Sequence, residues 1–317
     1  MSEHVKSFLS QEQQNTLINS FGDHARANES IAPYTTIRIG GSVDVLMVAH
    51  NETELSKMTQ TCWELNIPMM VLGNGSNVLI SDKGIRGVCI INHADQIKLI
   101  EDPKKPGEMN HIFTESGALL GKVSRFAEEH ALATFEWAEG IPGTIGGSII
   151  GNAGAYGGEI AGNFVSAKIL QRGKEKTLFF SEDMDFRYRY SIFKHNKEDF
   201  IVLSAIFKLE AGEKETIRQL MLENQKKRRK KQSSYKSIGS VFKNPANDYA
   251  GRLINRLNLK GMRVGDAMIS YEHANIFVNV GKASSTDYRR LIELTQKKVF
   301  AHYGIQLEPE ILFIGEW

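Results

Sequence analysis

Covalent and membrane anchoring are almost missing from this sequence. Its 317 residues include only two cysteines, Cys62 and Cys89. Both lie in apolar runs and form no metal-ligand pair, so buried reduced thiols and a reducing compartment are expected. No stretch approaches the roughly 20 apolar residues of a membrane span. The amino-terminal "MSEHVKSFLSQEQQNTLI" is polar and amphipathic, without an apolar core of signal-peptide length. Neither sign of charge is in real excess, since 39 Lys and Arg against 37 Asp and Glu leave a net +2. That excludes a chain built as a whole around nucleic acid or an anionic surface. A soluble, cytoplasmic protein is the expectation. What is there is globular: 41% of residues are hydrophobic and 24% charged, enough for two or three cores.

The pattern along the chain alternates strands and helices. Residues 1–30 read as a helical leader. "VDVLMVA" reads as a strand, "NETELSKMTQTCWELN" as a helix with Leu55, Met58, Cys62 and Leu65 on one face, and "PMMVLG" as a short buried strand. "GVCIIN" and "HIFTESG" add strands, and "ALLGKVSRFAEEHAL" is helical, with Leu119, Val123, Phe126 and Ala127 facing inward. The segment "GIPGTIGGSIIGNAGAYGGEIAG", Gly140 to Gly162, holds nine of the chain's 28 glycines. Strands resume at "FVSAKILQ" and "DFIVLSAIFKLE", and a helix over "EKETIRQLMLENQKKRRKKQ" ends in a basic run. The last third reads as a smaller α/β unit. It has a helix "YAGRLINRLNL" stopped by Gly261, a strand "NIFVNVG", a helix from Ser284 to Gly304 with a near capping box, and a closing strand "LEPEILFIG".

Single motifs leave alternatives open. "GNGSN", Gly73 to Asn77, follows a strand and suits either a tight turn or a nest of backbone N–H groups for a pyrophosphate. It is not a dinucleotide fingerprint, because Val78 replaces the third glycine and strand follows. "SGALLGKVS" is one residue short of a P-loop and lacks its Ser or Thr. The 140–162 segment is too apolar, at Ile141, Pro142, Ile145, Ile149 and Ile150, for a flexible linker, and favours a loop that cradles a cofactor. "FRYRYSIFK" offers Arg187 and Arg189 among aromatics, either as surface residues or as a guanidinium fork for a carboxylate. "KKRRKK", Lys226 to Lys231, suits a solvated helix end or local attraction of a phosphorylated small molecule. Ser240 in "SIGSVFKNP" lacks a nucleophile elbow and reads alone as a turn serine. In "LEPEI", Pro309 suits a sheet edge or a strand start.

Taken in order, "TTIRIGG", "VLGNGSNVLISDKG", "GIPGTIGGSIIGNAGAYGGE", "YRYSIFK", "GSVFKNP", "ISYEHANIFVN" and "LEPEILFIG" resemble one family, over nearly the whole chain. It is the UDP-N-acetylenolpyruvoylglucosamine reductases, the MurB flavoenzymes of peptidoglycan synthesis. The span between Ser191 and Gly239 has no room for the tyrosine-bearing loop of the longer form, so the chain resembles the shorter, type II form. The resemblance implies an α+β fold: an FAD-binding domain of the vanillyl-alcohol-oxidase (PCMH) type in two α/β subdomains, about 31–92 and 93–210, after the leader. A C-terminal α/β substrate domain would fill 211–317, its last strand, 307–314, returning to the active site.

The resemblance also implies FAD as cofactor and NADPH as reductant. Arg38, Gly73, Asn74, Gly75, Ser76, Asn77, Ile141, Pro142, Gly143, Thr144, Gly146, Gly147, Ser148, Gly151 and Ala153 would hold FAD. Ser240, Arg189 and Glu310 would be catalytic, with Ser240 giving a proton, Arg189 on the substrate carboxylate and Glu310 acting as a neutral acid. Tyr156, Asn244 and Asn275 would touch the substrate, UDP-N-acetylglucosamine enolpyruvate. No metal, nucleic acid or membrane enters this picture, and a monomer is expected. Two rivals stand beside it. Another flavin oxidase of the same fold would have no reason to carry "GSVFKNP" and "LEPEI". A colourless RNA binder would use "KKRRKK" and "FRYRY", with salt-sensitive binding.

Overall fold

The computed structural model describes residues 9–102, 105–194 and 200–317. The chain divides into two compact units. One comprises residues up to 47, 75–89 and 229–317, and the other 48–74 and 90–228.

The first unit is built on a four-stranded antiparallel sheet ordered Lys236–Ser240, Ile276–Asn279, Ala267–Ile269, Arg263–Val264. The helix Ser285–Tyr303 covers it, burying Tyr288, Leu291, Ile292, Thr295 and Val299 at the three-and-four spacing of one helical face. Both ends of that helix are as expected. Ser284 and Asp287 form a reciprocal capping box, and Gly304 adopts the left-handed conformation at the C-cap. Phe242, Phe277 and Tyr288 centre the core, and the Tyr288 hydroxyl donates to the Phe277 carbonyl at 3.0 Å. That bond satisfies the polar tip of a fully buried ring. A short parallel pair joins Val78–Ile80 to Leu312–Ile314.

The second unit carries a five-stranded antiparallel sheet ordered Thr177–Phe180, Phe164–Gln171, Phe200–Lys208, His111–Glu115, Ile97–Ile100. Its core gathers Phe135, Trp137, Phe164 and Phe207 with residues from the Leu120–Glu129 helix. The helix Glu52–Glu64 starts at Asn51, whose side chain accepts the Glu54 N–H.

Several expectations change. Residues 9–30 are only partly helical. Gln11–Phe21 is a helix, but Ala25–Ser30 alternates in exposure and pairs antiparallel with Ser42–Ala49; residues 1–8 lie outside the described residues. Leu119 is the exposed N-cap of its helix, and Leu120 takes the inward position. The helix Ala250–Arg256 ends before Asn258, which has φ 53°, ahead of Gly261. Regular strand at the C-terminus is confined to Leu312–Ile314. The two units also cut across the expected limits at 92 and 210. Residues 75–89 group with the C-terminal third because Leu312 pairs with Val78. The helix Lys214–Arg229 groups with the second unit up to Arg228. Arg218 meets Glu128 there at 2.9 Å, and the Asn224 amide donates to the Glu136 carbonyl at 3.2 Å.

Candidate active site

In the second unit, the end of "GNGSN" nearest its strand meets "GIPGTIGG". A Cβ on Gly73 would lie 2.3 Å from Thr144 Oγ1 and 2.9 Å from Thr144 Cγ2, so only glycine lets the two loops close. Beside this contact the Asn74 amide donates to the Pro142 carbonyl at 2.6 Å. Further N–H groups pin the second loop. Leu120 donates to the Gly143 carbonyl at 2.9 Å, Ile145 to Ala118 at 2.9 Å and Gly146 to Ser116 at 2.8 Å. Gly147 and Ser148 lie in the short helix Ile145–Ile150 that follows. The Gly151 N–H closes onto the Gly147 carbonyl at 3.1 Å, and that of Ala153 onto Ser148 at 2.9 Å. The Ile141 N–H reaches the Ala138 carbonyl at 3.1 Å. The two segments thus form one apolar, glycine-rich surface. The remaining members of "GNGSN" lie in the first unit. Gly75 there is buried with φ 57°, and the N–H groups of Gly75 and Ser76 donate to no described residue. Successive unspent N–H groups beside a left-handed residue suit an anionic oxygen, so these residues fit a pyrophosphate.

The glycine-rich surface extends to Tyr156 and Arg189. Gly154–Ala155 and Gly158–Glu159 form a hairpin joined by Tyr156 and Gly157, with φ 53° and 88°. Two positive φ values in a two-residue loop define a type I′ turn, usually Asn-Gly. A tyrosine there is strained, and strain of this kind collects at working sites. It holds Tyr156 out at the hairpin tip, 40% exposed. Arg189 is also left-handed, with φ 56°, in a tight turn closed by mutual Arg187 and Tyr190 backbone bonds at 3.1 and 3.0 Å. Its Nη2 donates to the Gly154 carbonyl at 3.0 Å. Buried Asn152 ties the turn to the hairpin region, its amide donating to the Arg187 carbonyl at 3.1 Å and its Oδ1 accepting the Ala161 N–H. The Ser191 hydroxyl donates to the Ile150 carbonyl at 2.8 Å. Arg189, Tyr156 and the glycine loops therefore belong to one assembly.

Arg228 joins them, which the basic run did not reveal. Its guanidinium carbon lies 5.3 Å from the Tyr156 ring centroid, and a Cβ on Gly140 would come within 3.2 Å of its Cδ. Nε and Nη2 are buried and hydrogen-bonded to no described residue. Burial holds its pKa below the usual arginine value, against the pull of Tyr156 and Glu139. Lys226, Lys227, Arg229, Lys230 and Lys231 are exposed, as a solvated helix end requires. The signal that singles out Arg228 is periodic. Ile217, Met221, Asn224 and Arg228 recur at spacings of four, three and four, and none of them is exposed.

In the first unit, Ser240 ends the strand Lys236–Ser240, opposite Ile276. The register slips between Ser237 and Ser240, and Gly239 has φ 75°. A glycine bulge of this kind turns the following side chain off the strand's regular face. Ser240 is exposed, between buried Ile238 and buried Val241. Glu310 arrives beside it, its N–H donating to the Val241 carbonyl at 2.8 Å. Phe242 and Pro309 form a bridge, so Pro309 does sit at a pairing edge. The Asn77 amide donates to the Glu310 carbonyl at 3.2 Å, which ties the end of "GNGSN" to the catalytic candidate. Glu308 pairs with Lys243. Arg38, with φ 60°, is exposed and donates to the Pro33 carbonyl.

The expected substrate contacts Asn244 and Asn275 take different places. Asn244 is exposed, and its Oδ1 accepts the N–H of Ala250 at the start of the Ala250–Arg256 helix, at 3.1 Å. Asn275 is 4% exposed. Its Oδ1 accepts the Phe242 N–H at 3.0 Å, and its Nδ2 donates to the Phe242 carbonyl at 2.8 Å. Both ends of its amide are taken up by the chain itself. Next to it, His273 Nδ1 accepts the Asn275 N–H at 3.2 Å. Burial, then the nearby Lys231 and Lys260, hold His273 below the usual histidine pKa, so the ring is neutral at pH 7.

Several known proteins are similar to this chain. Residues 43–171 match an FAD binding domain, and residues 230–314 match the C-terminal domain of UDP-N-acetylenolpyruvoylglucosamine reductase. The UDP-N-acetylenolpyruvoylglucosamine reductase of Syntrophomonas wolfei is 37% identical over 297 residues, covering 93% of this chain and 96% of the relative. That of Streptococcus pyogenes is 40% identical over 298 residues, covering 93% and 97%. The crystal structure of the Thermus caldophilus enzyme MurB superimposes with a TM-score of 0.75 at 32% identity, covering 92% of this chain and 99% of that one. The chain therefore belongs to the UDP-N-acetylenolpyruvoylglucosamine reductase family.

Proposed function

We propose that this protein reduces UDP-N-acetylglucosamine enolpyruvate to UDP-N-acetylmuramate, with FAD as cofactor and NADPH as reductant, in the cytoplasmic stage of peptidoglycan synthesis. The observation that carries the reading is the bridge between Phe242 and Pro309, where the Glu310 N–H bonds the carbonyl of Val241, the residue after Ser240, from segments far apart in sequence. Gly73 to Asn77, Ile141 to Thr144, Gly146, Gly147, Ser148, Gly151, Ala153 and Arg38 would hold FAD. The chemistry FAD supplies when bound is hydride transfer, received from NADPH and passed to the methylene carbon of the enol ether.

The chain's own residues manage the charge and the proton. As hydride arrives, negative charge grows on the neighbouring α-carbon and its carboxylate. Fixed positive charge and donors aimed there lower the barrier. Arg189 supplies a planar guanidinium fork for that carboxylate, and Glu310 shares a proton with it. The Ser240 hydroxyl then protonates the α-carbon, and the serine oxygen regains its proton from water. A hydroxyl is a weak acid, but it meets a strong carbon base and is held at one face. Hydride and proton together saturate the double bond. Tyr156, displayed at its hairpin tip, would contact the substrate.

The visible spectrum tests this reading. Purified protein, or apoprotein reconstituted with FAD, should be yellow, bleach on NADPH under anaerobic conditions and recover its colour on adding the enolpyruvyl substrate. Protein that FAD cannot colour, or reduced flavin that the substrate leaves bleached, would contradict it.

A further inference from the structure

Building on the reading of Ser240 as proton donor, we propose that Asn275 is a positioning residue that fixes Ser240, rather than a substrate contact. The regular ladder between Lys236–Ser240 and Ile276–Asn279 ends with Ser240 opposite Ile276. Past that point the chain turns away, the Ile276 N–H closing onto the His273 carbonyl at 2.9 Å. On this side, opposite the bridge to Pro309, no further strand residue among the described residues faces Phe242, which is 1% exposed and needs partners for its N–H and its carbonyl. The Asn275 side chain takes the place of that strand. A primary amide offers one acceptor and a donor in the arrangement of a peptide group, and it meets both Phe242 groups, at 3.0 and 2.8 Å. The Asn275 carbonyl also accepts the Val241 N–H at 2.9 Å.

On the other side, Glu310 donates to the Val241 carbonyl at 2.8 Å and the Lys243 N–H to the Glu308 carbonyl at 2.9 Å. Val241 and Phe242 are thus clamped between the Asn275 and Glu310 segments. Ser240 precedes the clamp, and the Gly239 bulge lies on its other side. The direction of an exposed hydroxyl at that junction is set by the backbone the clamp holds. Asn275 acts on the proton transfer without touching the reacting atoms.

The test uses holoenzyme carrying Asn275→Asp, which keeps the side-chain shape and the acceptor for the Phe242 N–H but sets an oxygen against the Phe242 carbonyl. Asn275→Ser, a smaller polar replacement, gives the same measurement if the aspartate variant does not fold. Flavin content, the rate of flavin reduction by NADPH and the dissociation constant of UDP-N-acetylglucosamine enolpyruvate for oxidised enzyme are expected to stay at wild-type values. Flavin reoxidation by saturating substrate should slow by about 100-fold, the cost of roughly 1 Å of misplacement, with a larger solvent deuterium isotope effect. A raised dissociation constant with an unchanged saturating rate would make Asn275 a substrate contact and overturn the proposal. Parallel loss of flavin content and of both half-reactions would reduce its role to general stability and overturn it too. Ser240→Ala in the same assay separates the two claims. If it reoxidises at the wild-type rate, the Ser240 reading fails; if it is slow while the Asn275 variants are fast, only the positioning role fails.

Discussion

Replacing Gly73 by alanine should weaken FAD binding, by an amount the loop contact sets. The added Cβ would lie 2.3 Å from Thr144 Oγ1, 2.9 Å from Cγ2 and 3.1 Å from Cβ. Rotating the threonine side chain moves the first two atoms but not the third, so the loops must part. Overpacking at this scale costs about 1–3 kcal/mol. In the apoprotein the loops relieve it by separating, and the cost returns when FAD needs them closed. With each 1.4 kcal/mol worth a factor of ten, FAD affinity should fall by about 5- to 140-fold. The assay is titration of FAD into deflavo-protein, followed by flavin absorbance, for wild type, Gly73→Ala, Thr144→Ala and the double variant. Truncating Thr144 removes the two closest atoms, so the double variant should bind more tightly than the sum of the single effects allows. Wild-type affinity in Gly73→Ala, or strict additivity in the cycle, would refute a shared cradle.

Two further predictions concern the rest of the chain. Burial pushes Cys62 and Cys89 up to about 12, so a thiol reagent at about pH 8 should find no reactive cysteine in native protein and both after unfolding. Burial holds His93, His111 and His273 below the ordinary 6.5, with His50, Lys208 and the Lys231–Lys260 pair adding to it respectively. The unfolded chain therefore takes up protons first, and the stability these neutral rings contribute is complete above 6.5 and lost as pH falls through the folded values. Tm should drop as pH falls below 6.5, less steeply in His273→Gln; an equal slope in that variant would remove His273 from the account.

Local features were legible in the sequence because they have short-range causes. The helix Ser285–Tyr303 follows from its cap pair, its apolar stripe and Gly304. The strand Val78–Ile80 follows from a glycine turn that leads into apolar residues rather than a helix. The family motifs pointed to Ser240, Arg189 and Glu310, and in the structure the Glu310 N–H bonds the carbonyl of Val241, the residue after Ser240. What stayed hidden depends on partners far along the chain. Pairing of Leu312 with Val78 redraws the units, and nothing local announces it. Asn275 sits in a segment that reads as a ligand contact, yet its amide serves Phe242, 33 residues earlier. Arg228 was obscured differently. Six basic residues in a row suggest solvent, and only the helical period shows that one of them turns inward.

The most direct test of the central claim is anaerobic stopped-flow on Ser240→Ala. Flavin reduction by NADPH should proceed at the wild-type rate, because Ser240 has no part in it. Turnover to UDP-N-acetylmuramate should be lost, with reoxidation by the enolpyruvyl substrate slowed by about 100-fold or more, as removal of a positioned general acid requires. Reoxidation and product formation at wild-type rates would show that Ser240 is not the acid.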